Sequence, residues 1–416
     1  MSSCPVDAGF DPLSADYLRD PYPILRAVRE RTPVCYAPSI DMWVVTRHAD
    51  VRSVFVDPET FSASITQTPL FAMTEEAREI LEHGLRQTPV LVNCDPPAHT
   101  RVRARVSQAL SPRRVAALEP SIRRRAASLI DAFPEGRVDV VRALSFPLPA
   151  LTIFDLIGFP ESDAERIKAW CETKLVVNWG RPPAEMQVAS AYAMVAFWEY
   201  CERFVDRRRL HRADDLTSEL LAQADGDPDG LNPNEVASVV FAFSFAGHET
   251  TTNLITNCLH QVLRQPGLWG RIRADRSLVP GTVEETLRHD SSVIAWRRIA
   301  TRDARIGDVD VPRGARILVV MGAANRDPAV FEDPDRFDPE RANARQHLSF
   351  GRSIHFCMGA SLARLEAAIV LGLLTERSAD LRLAPGDEPA FSANVSFRGP
   401  SELWLERCSG PQFSGR

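Results

Sequence analysis

One cysteine stands in a glycine-flanked run, Phe350-Gly351-Arg352-Ser353-Ile354-His355-Phe356-Cys357-Met358-Gly359, whose composition suits an anionic sulfur. A thiolate needs backbone N–H groups aimed at it and a nearby cation, and Gly351 and Gly359 let the backbone curl close enough to supply the first. The residues Ala360, Ala363, Arg364, Ala367 and Val370 follow a helical period, so Cys357 lies near a positive helix end. Such a loop suits a thiolate ligand to iron. A cysteine considered singly is more often a small packed hydrophobe, and it is the other segments that favour the ligand.

The second segment is Phe245-Ala246-Gly247-His248-Glu249-Thr250-Thr251, inside an apolar run from Val236 to Leu263. Asn232 as N-cap, Pro233 at the first helical position and Glu235 three residues past the cap predict the start of a long helix. Helical spacing puts Thr250, Ala246, Phe243 and Val239 on one stripe, so a hydroxyl closes an apolar face. With Glu249 beside it, Thr250 forms an acid–alcohol pair able to relay protons; the competing arrangement is a threonine bonded back into its own helix. A zinc-protease reading of His248-Glu249 fails because position 252 is Thr252 and not histidine. The third segment, Glu285-Thr286-Leu287-Arg288, sets a carboxylate and a guanidinium on one helix face. It precedes Phe337-Asp338-Pro339-Glu340-Arg341 and then the cysteine loop.

Taken in this order the motifs resemble the cytochrome P450 family of haem-thiolate monooxygenases, from about Pro12 to about Leu405. The resemblance implies that Cys357 ligates the iron of haem b and that Glu249 and Thr250 serve oxygen activation. It also implies that Glu285, Arg288 and Arg341 form a buried charge triad. His99 and Arg103, in Asp95-Pro96-Pro97-Ala98-His99-Thr100-Arg101-Val102-Arg103, together with Arg298 and His355, are similar to the residues that bind haem propionates. The implied fold is mainly α, an α+β helix-rich body with a small mixed β-region, the haem lying between the central helix and the cysteine-loop helix.

One position departs from the family pattern. Ser353 replaces the usual glycine two residues before His355, which strains the loop by roughly 1 kcal/mol if its φ is positive. A narrower resemblance, to haem domains fused to a flavin and iron–sulfur reductase, rests on Asn178-Trp179-Gly180-Arg181-Pro182, on Ala295-Trp296-Arg297-Arg298 within His289 to Pro312, and on Ser396-Phe397-Arg398-Gly399-Pro400. It leaves two expectations open, a stand-alone relative or a portion of such a fusion.

At 416 residues the chain has room for two or three domains, but no Gly/Ser linker, repeat or low-complexity tract divides it. The expectation is a single haem-binding domain over residues 1–416, with Asp225-Gly226-Asp227-Pro228-Asp229-Gly230 as a turn before the central helix. Eight scattered cysteines without a CxxC pair argue against a zinc site or a disulfide framework. With no basic, apolar leader and no spanning stretch, the expected location is the cytoplasm, with no membrane partner. A net charge of −6 disfavours nucleic acid. Lysine is confined to Lys168 and Lys174, a bias that hints at a GC-rich genome. Arg101, Arg103, Arg105, Arg113 and Arg114 form a candidate docking patch for a ferredoxin-type donor, the alternative being a solvated helix face.

Helical periodicity predicts helices over Pro23 to Glu30, Arg113 to Ala132 and Met186 to Arg209. Strands are expected at Met42 to Thr46, Val309 to Val311 and Arg316 to Val320, with a turn at Pro312-Arg313-Gly314. The expected pocket wall comprises Val239, Phe243, Ala246, Val293, Ile294, Trp296 and Val395, with the loop from Phe71 to Leu91, and favours a hydrophobic small molecule. The expected reaction uses O2 on a substituted aromatic or a secondary metabolite such as a polyketide, with the protein as a monomer. A peroxide-driven peroxygenase and a haem sensor without turnover are the alternatives, and neither needs the Glu249–Thr250 pair.

Overall fold

The computed structural model describes residues 5–171, 174–227, 229–378, 380–386 and 388–407, so Cys4 and Cys408 lie outside the described residues. A helix from Pro233 to Arg264 runs through the body. Its start follows the sequence: Asn232 accepts from the Glu235 N–H, Glu235 reciprocates to the Asn232 N–H, and Pro233 takes the first turn.

This central helix is buried along most of its length because different partners cover its two halves. Val236, Val240, Phe241 and Phe245 pack with Phe197, Trp198 and Phe204 of the helix Ala184–Leu210. Leu254, Ile255, Leu259 and Val262 pack with Ile369, Val370 and Leu373 of the cysteine helix, Ala360–Arg377. Between the halves, Gly247 lets the helix Pro147–Ile157 approach closely; a Cβ there would stand 2.4 Å from Ile153 Cγ1.

Beside the helices lies a mixed five-stranded sheet in the order Val34–Ala37, Met42–Val45, Arg316–Val319, Trp296–Ala300, Phe61–Ser62. The strand Trp296–Ala300 lies antiparallel to Arg316–Val319, with Arg298 opposite Ile317. Alternation along that strand sends Trp296 and Arg298 to the cavity face, whereas Arg297 lies on the other side, 3.8 Å over the Trp179 ring. The fold is mainly helical with small mixed sheets, as expected.

Element ends differ from the periodic reading by one or two residues, for local reasons. The helix expected from Arg113 runs Pro112–Asp131 because Ser111 caps it, accepting from the Arg114 N–H. The strand from Met42 stops at Val45, since Thr46 spends both its N–H and its hydroxyl on the Pro33 carbonyl. Among the described residues no helix is long and apolar enough to cross a membrane.

Candidate functional site

Cys357 faces a cavity of ≈ 1480 Å³, mouth included, that lies between the central helix and the cysteine loop. The loop is held by the Cys357 N–H donating to the Phe350 carbonyl at 2.9 Å and by the Phe356 N–H donating to Ser353 at 3.0 Å. The turn puts Gly351 at φ 68° and Ser353 at φ 60°. A glycine accepts that region freely; Ser353 carries a Cβ into it. Burial raises the thiol pKa, against the pull of the Gly359 N–H, Arg103 and Arg364. Those three favour the thiolate expected from the sequence, but burial outweighs them and the loop alone keeps the thiol, so a bound metal cation must drive the ionisation.

At one edge of the cavity four basic side chains converge. The His99 and His355 rings are 4.3 Å apart, and Arg103 and Arg298 line the same cavity. Both His99 ring nitrogens and His355 Nε2 are buried without a hydrogen-bond partner in the protein. Burial, then the neighbouring cations, drives His355 down to about 3, and burial lowers Arg298 to about 10. Unmet donors and crowded positive charge fit an anionic ligand edge. The residues reach it from three places: the helix Ala98–Ala109, the strand Trp296–Ala300 and the cysteine loop.

The central helix supplies the opposite wall through Phe243, Ala246, Gly247, Thr250, Thr251 and Leu254. Thr250 Oγ1 donates to the Ala246 carbonyl at 3.0 Å, which leaves its oxygen able to accept. Glu249 is not on this wall. Its carboxylate lies 3.3 Å from Nε2 of the fully buried His248, so the acid and alcohol of the expected pair point in different directions, as successive helix positions do.

Val293 and Trp296 line the cavity, but three expected wall residues do not. Val239 is fully buried in a core cluster away from the cavity, while Ile294 and Val395 belong to the core behind the wall, with Trp179 and Phe397. The Val239 turn lies too far towards the helix start. Ile294 alternates away from its neighbour Val293. Leu91 and Val92 reach the cavity, but Phe71 faces a separate pocket with Arg297 and Arg316.

Glu285, Arg288 and Arg341 meet as a buried triad. Arg288 Nε and Nη2 donate to the two Glu285 oxygens at 2.8 and 2.7 Å, and Arg341 Nε donates at 3.1 Å. Arg288 also donates to the carbonyls of Asn325, Pro334 and Arg336, tying the segment before the cysteine loop to the helix Leu278–His289.

The arginine patch is largely spoken for. Arg101 pairs with Glu235, Arg105 with Asp227 at 2.6 Å and Arg114 with Asp214 at 3.5 Å, while Arg103 donates to the Phe356 carbonyl at 2.7 Å. Those carboxylates are distant in sequence, so the run of arginines did not disclose them. Sequence reasoning also missed Glu284, which the fold places beside the triad; its adjacency to Glu285 was the available signal.

Among the described residues no three His, Cys, Asp or Glu side chains gather for a metal ion. A metal at Cys357 must therefore bring its other donors with it, which a macrocycle does. The unmet donors at His99 and His355 match the carboxylate edge of haem, so the residues fit that group.

Residues 183–377 match the family model described as Cytochrome P450. The chain is 39% identical over 368 residues to Cytochrome P450 107B1 of Saccharopolyspora erythraea, covering 88% of this chain and 89% of the relative. It is 35% identical to the Vitamin D(3) 25-hydroxylase of Pseudonocardia autotrophica, covering 94% and 95%. It superposes on the crystal structure of the Acinetobacter radioresistens CYP116B5 heme domain with a TM-score of 0.93 at 33% identity, covering 96% of this chain and 98% of that one. A thiol loop, a basic clamp, a buried charge triad and similarity along nearly the whole chain agree, and this protein belongs to the cytochrome P450 family of haem b monooxygenases.

Proposed function

We propose that the chain works as one haem-binding domain that inserts an oxygen atom from O2 into a hydrophobic small molecule, with electrons from a ferredoxin-type donor. In this reading Cys357 ligates the iron, and His99, Arg103, Arg298 and His355 hold the propionates. The carrying observation is the make-up of the cavity: its lining holds the Cys357 sulfur together with an apolar surface of Phe243, Ala246, Val293 and Trp296 and the hydroxyl of Thr250. Haem with a thiolate ligand supplies the oxidising chemistry when bound.

The protein's own residues do the rest. Apolar side chains exclude water and orient a substrate by shape. Thr250 holds a proton at Oγ1, tethered to Ala246, and its lone pairs can accept another from solvent. Trp296 stands against Trp179 at 5.2 Å and Phe397 at 6.0 Å, which fixes the indole as a flat wall. That favours a substrate with an aromatic or similarly flat apolar face, either a substituted aromatic or a secondary metabolite. The name of the relative from Pseudonocardia autotrophica, Vitamin D(3) 25-hydroxylase, supports the reaction type.

The test is a screen of hydrophobic compounds for the low- to high-spin change of the haem spectrum. Hits are then turned over with isotopically labelled O2, a ferredoxin and its reductase. Label in the product supports the reading; product formed only from peroxide sinks it.

A further inference from the structure

Glu284 is a second buried carboxylate beside the charge triad, 5% exposed, and none of the roles assigned so far uses it. Arg364, from the second turn of the cysteine helix, donates to it from Nε at 2.6 Å and from Nη2 at 3.1 Å. His347 Nε2 lies 3.2 Å from the same carboxylate, and the Ser349 N–H donates to His347 Nδ1 at 3.2 Å. That second bond fixes His347 as the neutral tautomer with its proton on Nε2, so the histidine adds a hydrogen bond and no charge. Burial alone would raise the Glu284 pKa, but the donors from His347 and Arg364 more than offset it and hold it at about 2. Glu284 and Arg364 are thus a fixed, two-pronged ion pair.

The pair sits against the sulfur's own loop. The Arg364 guanidinium lies 4.6 Å over the Phe350 ring, and the Phe350 carbonyl accepts the Cys357 N–H at 2.9 Å. Arg103 and Arg364 are the two cations whose fields favour the Cys357 anion. Among the described residues Arg103 has no carboxylate within ion-pair distance, whereas Arg364 has Glu284. Of the protein's own carboxylates it is therefore Glu284 that decides how much of the Arg364 charge the sulfur feels, with the exposed Arg345 3.8 Å from the same carboxylate.

We propose that Glu284 is a positioning residue for the thiolate: by holding and neutralising Arg364 it limits the positive field at Cys357 and so sets the reduction potential of the iron bound there. The proposal rests on the haem-thiolate reading. Charges in a partly buried site act over such distances with little screening.

The experiment is spectroelectrochemical titration of the ferric/ferrous couple in the haem-loaded protein and in Glu284→Gln, Arg364→Gln and the double variant. Removing the anion should shift the equilibrium towards ferrous by roughly three- to tenfold, and removing the cation should shift it towards ferric by a similar factor. The double variant should return to within about twofold of the parent. Glu284→Asp, which keeps the charge, should stay near the parent value. Shifts of the same sign in the two single variants, or no shift in either, would overturn the proposal. If Glu284→Gln fails to retain haem, Arg364→Gln and Glu284→Asp decide: a move towards ferrous in Arg364→Gln, or in Glu284→Asp a shift as large as that expected of Glu284→Gln, overturns it. A parent protein without the thiolate-type carbon monoxide spectrum would instead sink the haem-thiolate reading.

Discussion

The imidazoles of His99 and His355 stand 4.3 Å apart at a 54° tilt, with their unpaired ring nitrogens in the cavity that Arg103 and Arg298 also line. Basic rings crowded in this way repel one another once protonated, and an anion between them relieves the repulsion. This arrangement predicts a clamp for haem propionates. His99→Ala and His355→Ala should each speed haem loss to apomyoglobin by roughly ten- to a hundredfold, the worth of one charge-assisted hydrogen bond. The carbon monoxide complex should keep its thiolate spectrum in both. Unaltered haem loss would remove these residues from the clamp.

Ser353 at φ 60° carries strain that a glycine would not. Ser353→Gly should stabilise the cysteine loop by about 1 kcal/mol. The readout is slower conversion of the thiolate-type carbon monoxide spectrum to its inactive form under mild urea.

Thr250→Ala removes a hydroxyl from the apolar lining of the cavity and leaves the residues proposed to hold haem untouched. Haem content should not change, while product formed per reducing equivalent drops and peroxide rises. Measuring product and peroxide against reductant consumed checks both halves.

Arg288→Ala removes the two-pronged partner of the fully buried Glu285 and leaves its charge to Arg341 and the Asp338 N–H alone. Losing one partner of a buried pair costs about 3–5 kcal/mol, so thermal unfolding should drop by many degrees and haem occupancy with it. A variant as stable as the parent would show that the triad is not what closes the core.

Two buried groups make opposite predictions about pH. Burial depresses His260 to about 4 from 6.5, so between those values the unfolded chain binds a proton that the native state refuses. Stability from this site is present above pH 6.5 and is lost as pH falls towards 4. Burial raises Glu366 from 4.5 to about 8, so its contribution is full below pH 4.5 and is lost as pH rises through 8. Glu366→Gln should match the parent's thermal midpoint near pH 5 and exceed it near pH 9; His260→Gln should flatten the acid limb.

The cysteine loop, the capped start of the central helix and the triad's members were all legible in the sequence, because each depends on residue type and short spacing. Asn232, Pro233 and Glu235 specify a helix start wherever the helix packs. Orientation was not legible in the same way. Val239 and Phe243 share a helical stripe, yet only Phe243 meets the cavity, since Val239, one turn nearer the helix start, is fully buried in the core.

Charge pairing was hidden for the same reason. The run Arg101 to Arg114 reads as a basic face until Glu235, Asp227 and Asp214 arrive from distant segments to pair with it. Glu284 acquires its role only because the fold lays the cysteine helix beside the helix Leu278–His289. By itself the sequence determined which side chains could do the chemistry and which elements would carry them. The tertiary structure decided which of those side chains meet, because burial and Coulomb interactions depend on distances that the packing of elements far apart in the chain sets.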